Sequence, residues 1–298
     1  MKQRVGLVGA GLMGHGIALN ILRHGHALVV LEHPGNQPLG ELEALGARTA
    51  PSGTQLAAQS DVVILCVTGA PQVESVLCDA DGVLEGLQRD AIVVDCSTSL
   101  PTTSVRMDAA VQAAGGKFVD APMTRTAAEA RAGKLNLLVG GDVQTLERVL
   151  PLLRCFAENV THAGPVGAGH RLKLLHNFVS LGCIALISEA AGHALSSGIA
   201  PDVFVNVLAS GGGAGVALNR ISPVVLDREA AGMQFSMSNA LKDLRYYTGM
   251  VGDARGADEI ARAVAQTLER TLGTLAPHAL VSDLVHALAE RNRRAANA

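Results

Sequence analysis

Residues 4–32 read RVGLVGAGLMGHGIALNILRHGHALVVLE. Arg4 to Val8 is a short apolar run. Gly9, Gly11 and Gly14 follow, with Leu12 and Met13 between them, and helical periodicity then carries on to Arg23. A second apolar run, Ala27 to Leu31, stops at Glu32. Strand, glycine turn, helix and strand is the setting in which G-x-G-x-x-G signals dinucleotide binding. The glycines let the backbone approach a pyrophosphate, and the helix N-terminus offers N–H donors and the positive end of its dipole. Glu32 comes 18 residues after Gly14. A carboxylate there accepts from both ribose hydroxyls and repels a 2′-phosphate, which favours NAD, while the neighbouring His33 leaves NADP open.

Working outward, the α/β rhythm continues to about residue 163. Strands are expected near Arg48 and over Asp61–Val67, Ala91–Asp95, Lys117–Asp120, Leu135–Val139 and Val160–Ala163. Helical stretches at Gln72–Leu77, Pro101–Ala114 and Val143–Cys155 separate them. Pro101 after Ser97, Thr98 and Ser99 predicts a helix start with a hydroxyl cap. Those hydroxyls also lie past a strand's C-terminal end, where open parallel sheets place ligands, so cap and ligand contact both fit Thr98. From Gly164 the strand signal stops and helical patterns follow to the end. The expected architecture is a Rossmann-type α/β domain over residues 1–163, then an all-α domain over 164–298, joined by a long helix.

That joining stretch, Gly164 to Ser180, reads GPVGAGHRLKLLHNFVS. At ~100° per residue, Lys173, His176, Asn177 and Ser180 share about a third of the helix circumference. The rest is apolar, which predicts a buried helix whose polar stripe needs partners. A lysine in such a stripe is the strongest single pointer to chemistry.

Composition excludes several classes. Only 2% of the residues are aromatic and the formal net charge is -3, so neither stacking platforms nor a basic surface for nucleic acid is expected. The longest uncharged apolar run, near Phe178 to Ser188, is about half of the ~20 residues a membrane span needs. The N-terminus runs directly into the first strand, unlike a signal peptide. Five cysteines without short paired spacing suggest reduced thiols and a cytoplasmic protein. The ten histidines show no metal-ligand arrangement, so no metal is expected.

Four blocks, GLVGAGLMGHGIALNILRHGH, DCSTSLP with DAPMTRTAAEARAGKLNLLVGGD, GPVGAGHRLKLLHN and ALKDLRYY, resemble the β-hydroxyacid dehydrogenases, among them the 3-hydroxyisobutyrate dehydrogenases, tartronate semialdehyde reductases and sulfolactaldehyde reductases. The resemblance covers almost the whole chain. It implies a dimer or tetramer that exchanges a hydride between NAD(P) and a small hydroxyacid or its semialdehyde. Carried over by motif, it makes Lys173 the proton-transfer residue and Asn177 its orienting partner. Thr98 then lies beside nicotinamide and substrate, and Val67 and Thr68 touch the adenosine side of the cofactor. Lys242 falls near the cofactor, while Phe235 and Asp243 are offered to the substrate.

The chain departs from the family's usual Asp-Ala-Pro-Val-Ser-Gly-Gly with Asp120-Ala-Pro-Met123-Thr124-Arg125-Thr126. Thr124 keeps a hydroxyl, and the Arg125 fork suits a carboxylate or a sulfonate. Arg125, Thr126 and Ser180 resemble the sulfolactaldehyde reductases, whereas His176 stands where those use asparagine. The implied substrate is therefore a small acid, carboxylate or sulfonate. A lysine with an ordinary pKa of ~10.4 is a poor base at neutral pH, so burial or a positive neighbour such as Arg125 is expected to activate Lys173. Imine reductases share the architecture but typically lack this lysine, and 6-phosphogluconate dehydrogenases usually have a longer helical domain. A non-catalytic dinucleotide-binding protein is the remaining alternative.

Overall fold

A computed structural model describes residues 2–229, 234–276 and 278–296. The chain forms two compact units, Met1–Lys173 and Leu174–Ala298. In the first, the order is β1 (Arg4–Val8), α1 (Leu12–Arg23), β2 (Ala27–Leu31), α2 (Gly40–Ala44), β3 (Arg48–Ala50), α3 (Gly53–Ala58), β4 (Val62–Leu65), α4 (Ala70–Cys78) and α5 (Val83–Gly86). It continues with β5 (Ile92–Asp95), α6 (Pro101–Ala113), β6 (Lys117–Asp120), β7 (Met123–Thr124), α7 (Ala127–Arg131), β8 (Leu135–Gly140), α8 (Val143–Leu153) and β9 (Ala157–Gly164). Helix α9 (Ala168–Ser196) then runs on into the second unit. There α10 (Pro201–Ala209), α11 (Val216–Asp227), α12 (Met237–Asp253), α13 (Glu259–Leu272) and α14 (Leu284–Ala296) follow.

The sheet order is β3-β2-β1-β4-β5-β6-β8-β7, with β9 beside β8. Strands β3 to β6 pair in parallel, β8 runs antiparallel to β6 and β7, and β9 is parallel to β8. The chain winds outward from β1 in one direction and from β4 in the other, which opens a crevice at the carboxyl ends of β1 and β4. The strands read as continuous apolar runs because helices cover both faces. Along β4, Val62 and Ile64 enter one core with Leu7, Ile17, Val94 and Val119. Val63 and Leu65 enter the other with Val8, Val73, Val93 and Phe118. Successive side chains thus alternate between two buried layers. Strand β7, two residues long, is too short to give any alternation and was not expected.

In the second unit Leu181, Ile184, Ala185 and Ala191 of α9 join Ile221, Leu244, Leu268, Leu284 and Leu288 in one core. The helix is not buried all round. Val179 is 60% exposed and Leu186 68%, with Leu175 on the same side. Helix α10 buries no residue and exposes Val203 and Val207. By length and apolarity alone α9 is long enough to cross a membrane, with a mean hydropathy of 1.6 over its most apolar window. The uncharged apolar run in the sequence understates that length, because His176 and Asn177 precede it and Glu189 ends it. Its core-facing residues give the helix the role of central packing element in the second unit. All five cysteines are free thiols, and burial pushes the Cys66 thiol up to about 12.

Candidate active site

Gly9 has φ +93°, a left-handed conformation that favours glycine. A Cβ on Gly14 would stand 1.9 Å from the Gly9 carbonyl oxygen, so α1 approaches the turn more closely than any side chain allows. Gly11 is different. It is the N-cap of α1, and a Cβ there meets nothing within 4 Å. The turn is closed inward by Gly9 and Gly14 and open outward at Gly11. Helix α1 starts without a side-chain cap bond, which leaves the first-turn N–H groups, those of Leu12 and Met13 among them, to meet an anion.

Asn36, unremarked in the sequence, braces this turn. Its Oδ1 accepts from the Ala10 N–H at 3.0 Å, and its Nδ2 donates to the Leu31 carbonyl at 2.8 Å. Glu32 is exposed just past β2, with Oε1 accepting from Thr49 Oγ1 at 2.7 Å. An outward-open glycine turn, an uncapped helix start and a held carboxylate at the second strand's end are a donor and acceptor set that fits a dinucleotide.

Past β4 and β5 the backbone is tied by side chains. The Val67 N–H donates to Ser97 Oγ at 3.0 Å, and the Ser97 N–H donates to Asp95 Oδ1 at 2.9 Å. Thr68 is exposed and Thr98 half-buried. The expected hydroxyl cap is absent: the N-cap of α6 is Leu100, without a side-chain bond, followed by Pro101. Proline's missing N–H and fixed φ suit the first helical position unaided, and Ser97 is committed to Val67. Thr98 is therefore not a cap.

Three of the expected substrate residues have partners within the first unit. Thr124 is buried, and its Oγ1 accepts from Asn136 Nδ2 at 3.2 Å. Thr126 is the N-cap of α7 in a reciprocal capping box with Glu129. Arg125 has φ +83°; its guanidinium pairs with Glu158 Oε2 at 2.6 Å and donates to the Lys134 carbonyl. Its charge is thus compensated at β9 and does not stand as an open fork.

Asp120, at the end of β6, is fully buried. Its two oxygens accept from the N–H groups of Gly167 and His170, each at 2.7 Å. Burial pushes this carboxyl above the usual range, against the pull of His170 and of those two donors. One turn further along α9, Lys173 is only 9% exposed.

In the second unit Asn177, four residues beyond Lys173, is 7% exposed. Its Nδ2 donates to Asp243 Oδ2 at 2.7 Å. Asp243 is buried, and its Oδ1 lies 3.2 Å from Lys242 Nζ but outside hydrogen-bond geometry. The Lys242 ammonium sits 5.5 Å from the Tyr246 ring centroid. Asp243 thus acts as the support of Asn177. Phe235 packs against the helical core. Ser180 is half-buried and His176 exposed, with His176 Nδ1 3.1 Å from Asn177 Oδ1. The stripe therefore divides into two buried members and a partly exposed rim, because periodicity fixes angles about the axis but not which arc neighbours cover.

A glycine cradle at the switch point of a 3-2-1-4-5-6 sheet defines a dinucleotide-binding fold. Residues 4–164 match the family described as the NAD binding domain of 6-phosphogluconate dehydrogenase. Residues 167–288 match that described as the NAD-binding of NADP-dependent 3-hydroxyisobutyrate dehydrogenase. The chain is 36% identical over 211 residues to 3-sulfolactaldehyde reductase of Escherichia coli, covering 71% of this chain and 70% of that protein. It is 33% identical over 223 residues to NAD-dependent L-serine dehydrogenase of Pseudomonas aeruginosa, covering 75% and 74%. The solved structure of Mycobacterium tuberculosis 3-hydroxyisobutyrate dehydrogenase with L-serine superposes with a TM-score of 0.86 at 25% identity, covering 97% and 99%. The chain belongs to the β-hydroxyacid dehydrogenase family, whose cofactor is NAD(P).

Proposed function

We propose that the protein interconverts a small β-hydroxyacid and its semialdehyde, with Lys173 moving the proton on the reacting oxygen. The observation that carries this is the pair of buried polar side chains one helical turn apart, Lys173 and Asn177, the second held in place by the buried Asp243 carboxylate. When bound, NAD(P) supplies the hydride acceptor or donor. In the oxidative direction the neutral Lys173 amine takes the hydroxyl proton; in the reductive direction the ammonium returns it to the carbonyl oxygen. Asn177 orients that oxygen or the amine.

The first 163 residues bind the cofactor in this reading, and residues 164–298 supply substrate contacts and the oligomer surface. Glu32, held by Thr49, favours NAD over NADP. Gly9, Gly11, Leu12, Met13 and Gly14 hold the pyrophosphate, with Val67, Thr68 and Lys242 also on the cofactor. Thr98, Thr124, Ser180 and the Thr126 segment face the substrate, whose acid group is a carboxylate. The likeness to a sulfolactaldehyde reductase, together with Arg125, favours a second reading in which the acid group is a sulfonate and displaces Glu158 from Arg125. The exposed apolar side chains of α9 and α10 are covered in a homodimer or homotetramer, and free cysteines accord with a cytoplasmic enzyme.

The test is NAD and NADP reduction with 3-hydroxyisobutyrate, L-serine and a sulfonate hydroxyacid, alongside reduction of small semialdehydes by NADH. Turnover that Lys173→Ala abolishes while NADH still binds is the expected result. No turnover across the set despite NADH binding overturns the catalytic reading in favour of a dinucleotide-binding protein.

A further inference from the structure

Helix α9 opens with a histidine that neither the glycine cradle nor the proton transfer uses. His170 is fully buried, and both ring nitrogens are engaged. Nε2 lies 3.1 Å from the Ser97 carbonyl oxygen, and Nδ1 lies 2.7 Å from Ser104 Oγ on α6. A carbonyl oxygen only accepts, so Nε2 carries a proton and donates it to Ser97. The His170 backbone N–H is on Asp120 Oδ2. Asp95 Oδ2, buried and without a hydrogen-bond partner, stands 3.9 Å from Nε2. This one residue ties the first turn of α9 to the ends of β5 and β6 and to α6. The tie runs from the residue just before Thr98 to the residue three before Lys173.

We propose that His170 is a positioning residue: its Nε2–H bond to the Ser97 carbonyl fixes the first turn of α9, and with it Lys173, in register with the turn that carries Thr98. The inference rests on Lys173 as the proton-transfer group. Its physical basis is that a reacting group displaced by about 1 Å loses on the order of 10²-fold in rate. The glycines before α9 cannot supply this rigidity. Gly167 has φ +88°, and the chain there is held by its hydrogen bond to Asp120 and by Val166 on the core, neither of which reaches the turn that carries Thr98.

Three substitutions separate positioning from simple packing. Glutamine is long enough to carry an amide N–H to the place of Nε2, whereas asparagine reaches only to that of Nδ1, and leucine fills space without donating. Amide hydrogen exchange of the whole protein is read for the segments 97–100 and 168–173, together with kcat, KM and NADH affinity. The expected pattern is that His170→Gln exchanges like the parent and keeps kcat within about threefold, while His170→Asn and His170→Leu exchange faster in both segments. In those two, kcat falls by roughly 10²-fold with NADH affinity retained. Should leucine prevent folding, the glutamine and asparagine pair still decides. Equal behaviour of glutamine and asparagine, in exchange or in kcat, overturns the proposal. Exchange that follows the expected pattern in a protein with no hydroxyacid turnover upholds the tie and removes the catalytic reading instead.

Discussion

The bond between Asn177 and Asp243 lends itself to a double-mutant cycle. Both residues are buried, and the acceptor is a carboxylate 2.7 Å from the amide nitrogen. A hydrogen bond to a charged group contributes about 1.5–3 kcal/mol. Asp243→Ala leaves the Asn177 amide without that acceptor, at a cost of about 1–3 kcal/mol. Asn177→Ala strips the buried carboxylate of its bond at Oδ2, at a cost of about 3 kcal/mol or more because the orphaned acceptor is charged. Because Asp243 Oδ1 is outside hydrogen-bond geometry toward Lys242, Oδ2 carries the coupling. In urea unfolding followed by circular dichroism, the double variant should be less destabilised than the sum of the singles by about 1.5–3 kcal/mol. That is roughly 10- to 150-fold in the unfolding constant. Singles that add within about 0.5 kcal/mol, as distant sites do, would refute a direct bond. If Asn177 also orients the reacting oxygen, Asp243→Ala should lower kcat more than it raises KM.

Further outcomes follow from the same geometry. Lys173→Ala should lower kcat by about 10²–10⁴-fold with NADH fluorescence titrations unchanged. Glu32→Ala removes a charged acceptor for ribose hydroxyls and should shift the NAD to NADP ratio of kcat/KM by roughly tenfold or more toward NADP. Burial holds His26 and His286 below the usual histidine pKa. The unfolded chain therefore takes up protons first as pH falls below ~6.5, so stability declines toward pH 5 and that contribution is flat above pH 7. Thermal unfolding at pH 5, 6 and 7 should show the slope, and His286→Gln should flatten it. In the proposed homodimer or homotetramer, where Val179 and Leu186 would be covered, Val179→Glu with Leu186→Glu should give monomer in analytical ultracentrifugation with little change in the melting temperature of the subunit, and a wild-type protein that already sediments as monomer refutes the assembly.

The strand, glycine turn and helix at the N-terminus were legible because G-x-G-x-x-G is a demand on backbone space, and such demands are written locally. The same holds for Lys173 and Asn177, whose spacing puts them on one arc of one helix. His176 shares that arc by periodicity but is exposed, since coverage is set by other helices and not by α9 itself. Arg125 carried a charge suited to an acid, yet Glu158, 33 residues later, already holds it. The support of Asn177 by Asp243, and the grip of His170 and Asp120 on the start of α9, join residues 66, 73 and 47–50 positions apart. No local pattern announces such partners.

The Asp120 carboxylate sets where the cofactor-binding half can be cut from the rest. A fragment ending at Ala163, where the strand pattern stops, would remove both N–H groups that Asp120 receives and leave an acid under the sheet's end with neither donor. A fragment carried through Lys173, the limit of the first compact unit, retains both. Recombining this half with the helical half of a relative therefore calls for a junction inside α9, downstream of the glycines, and not in the loop before it.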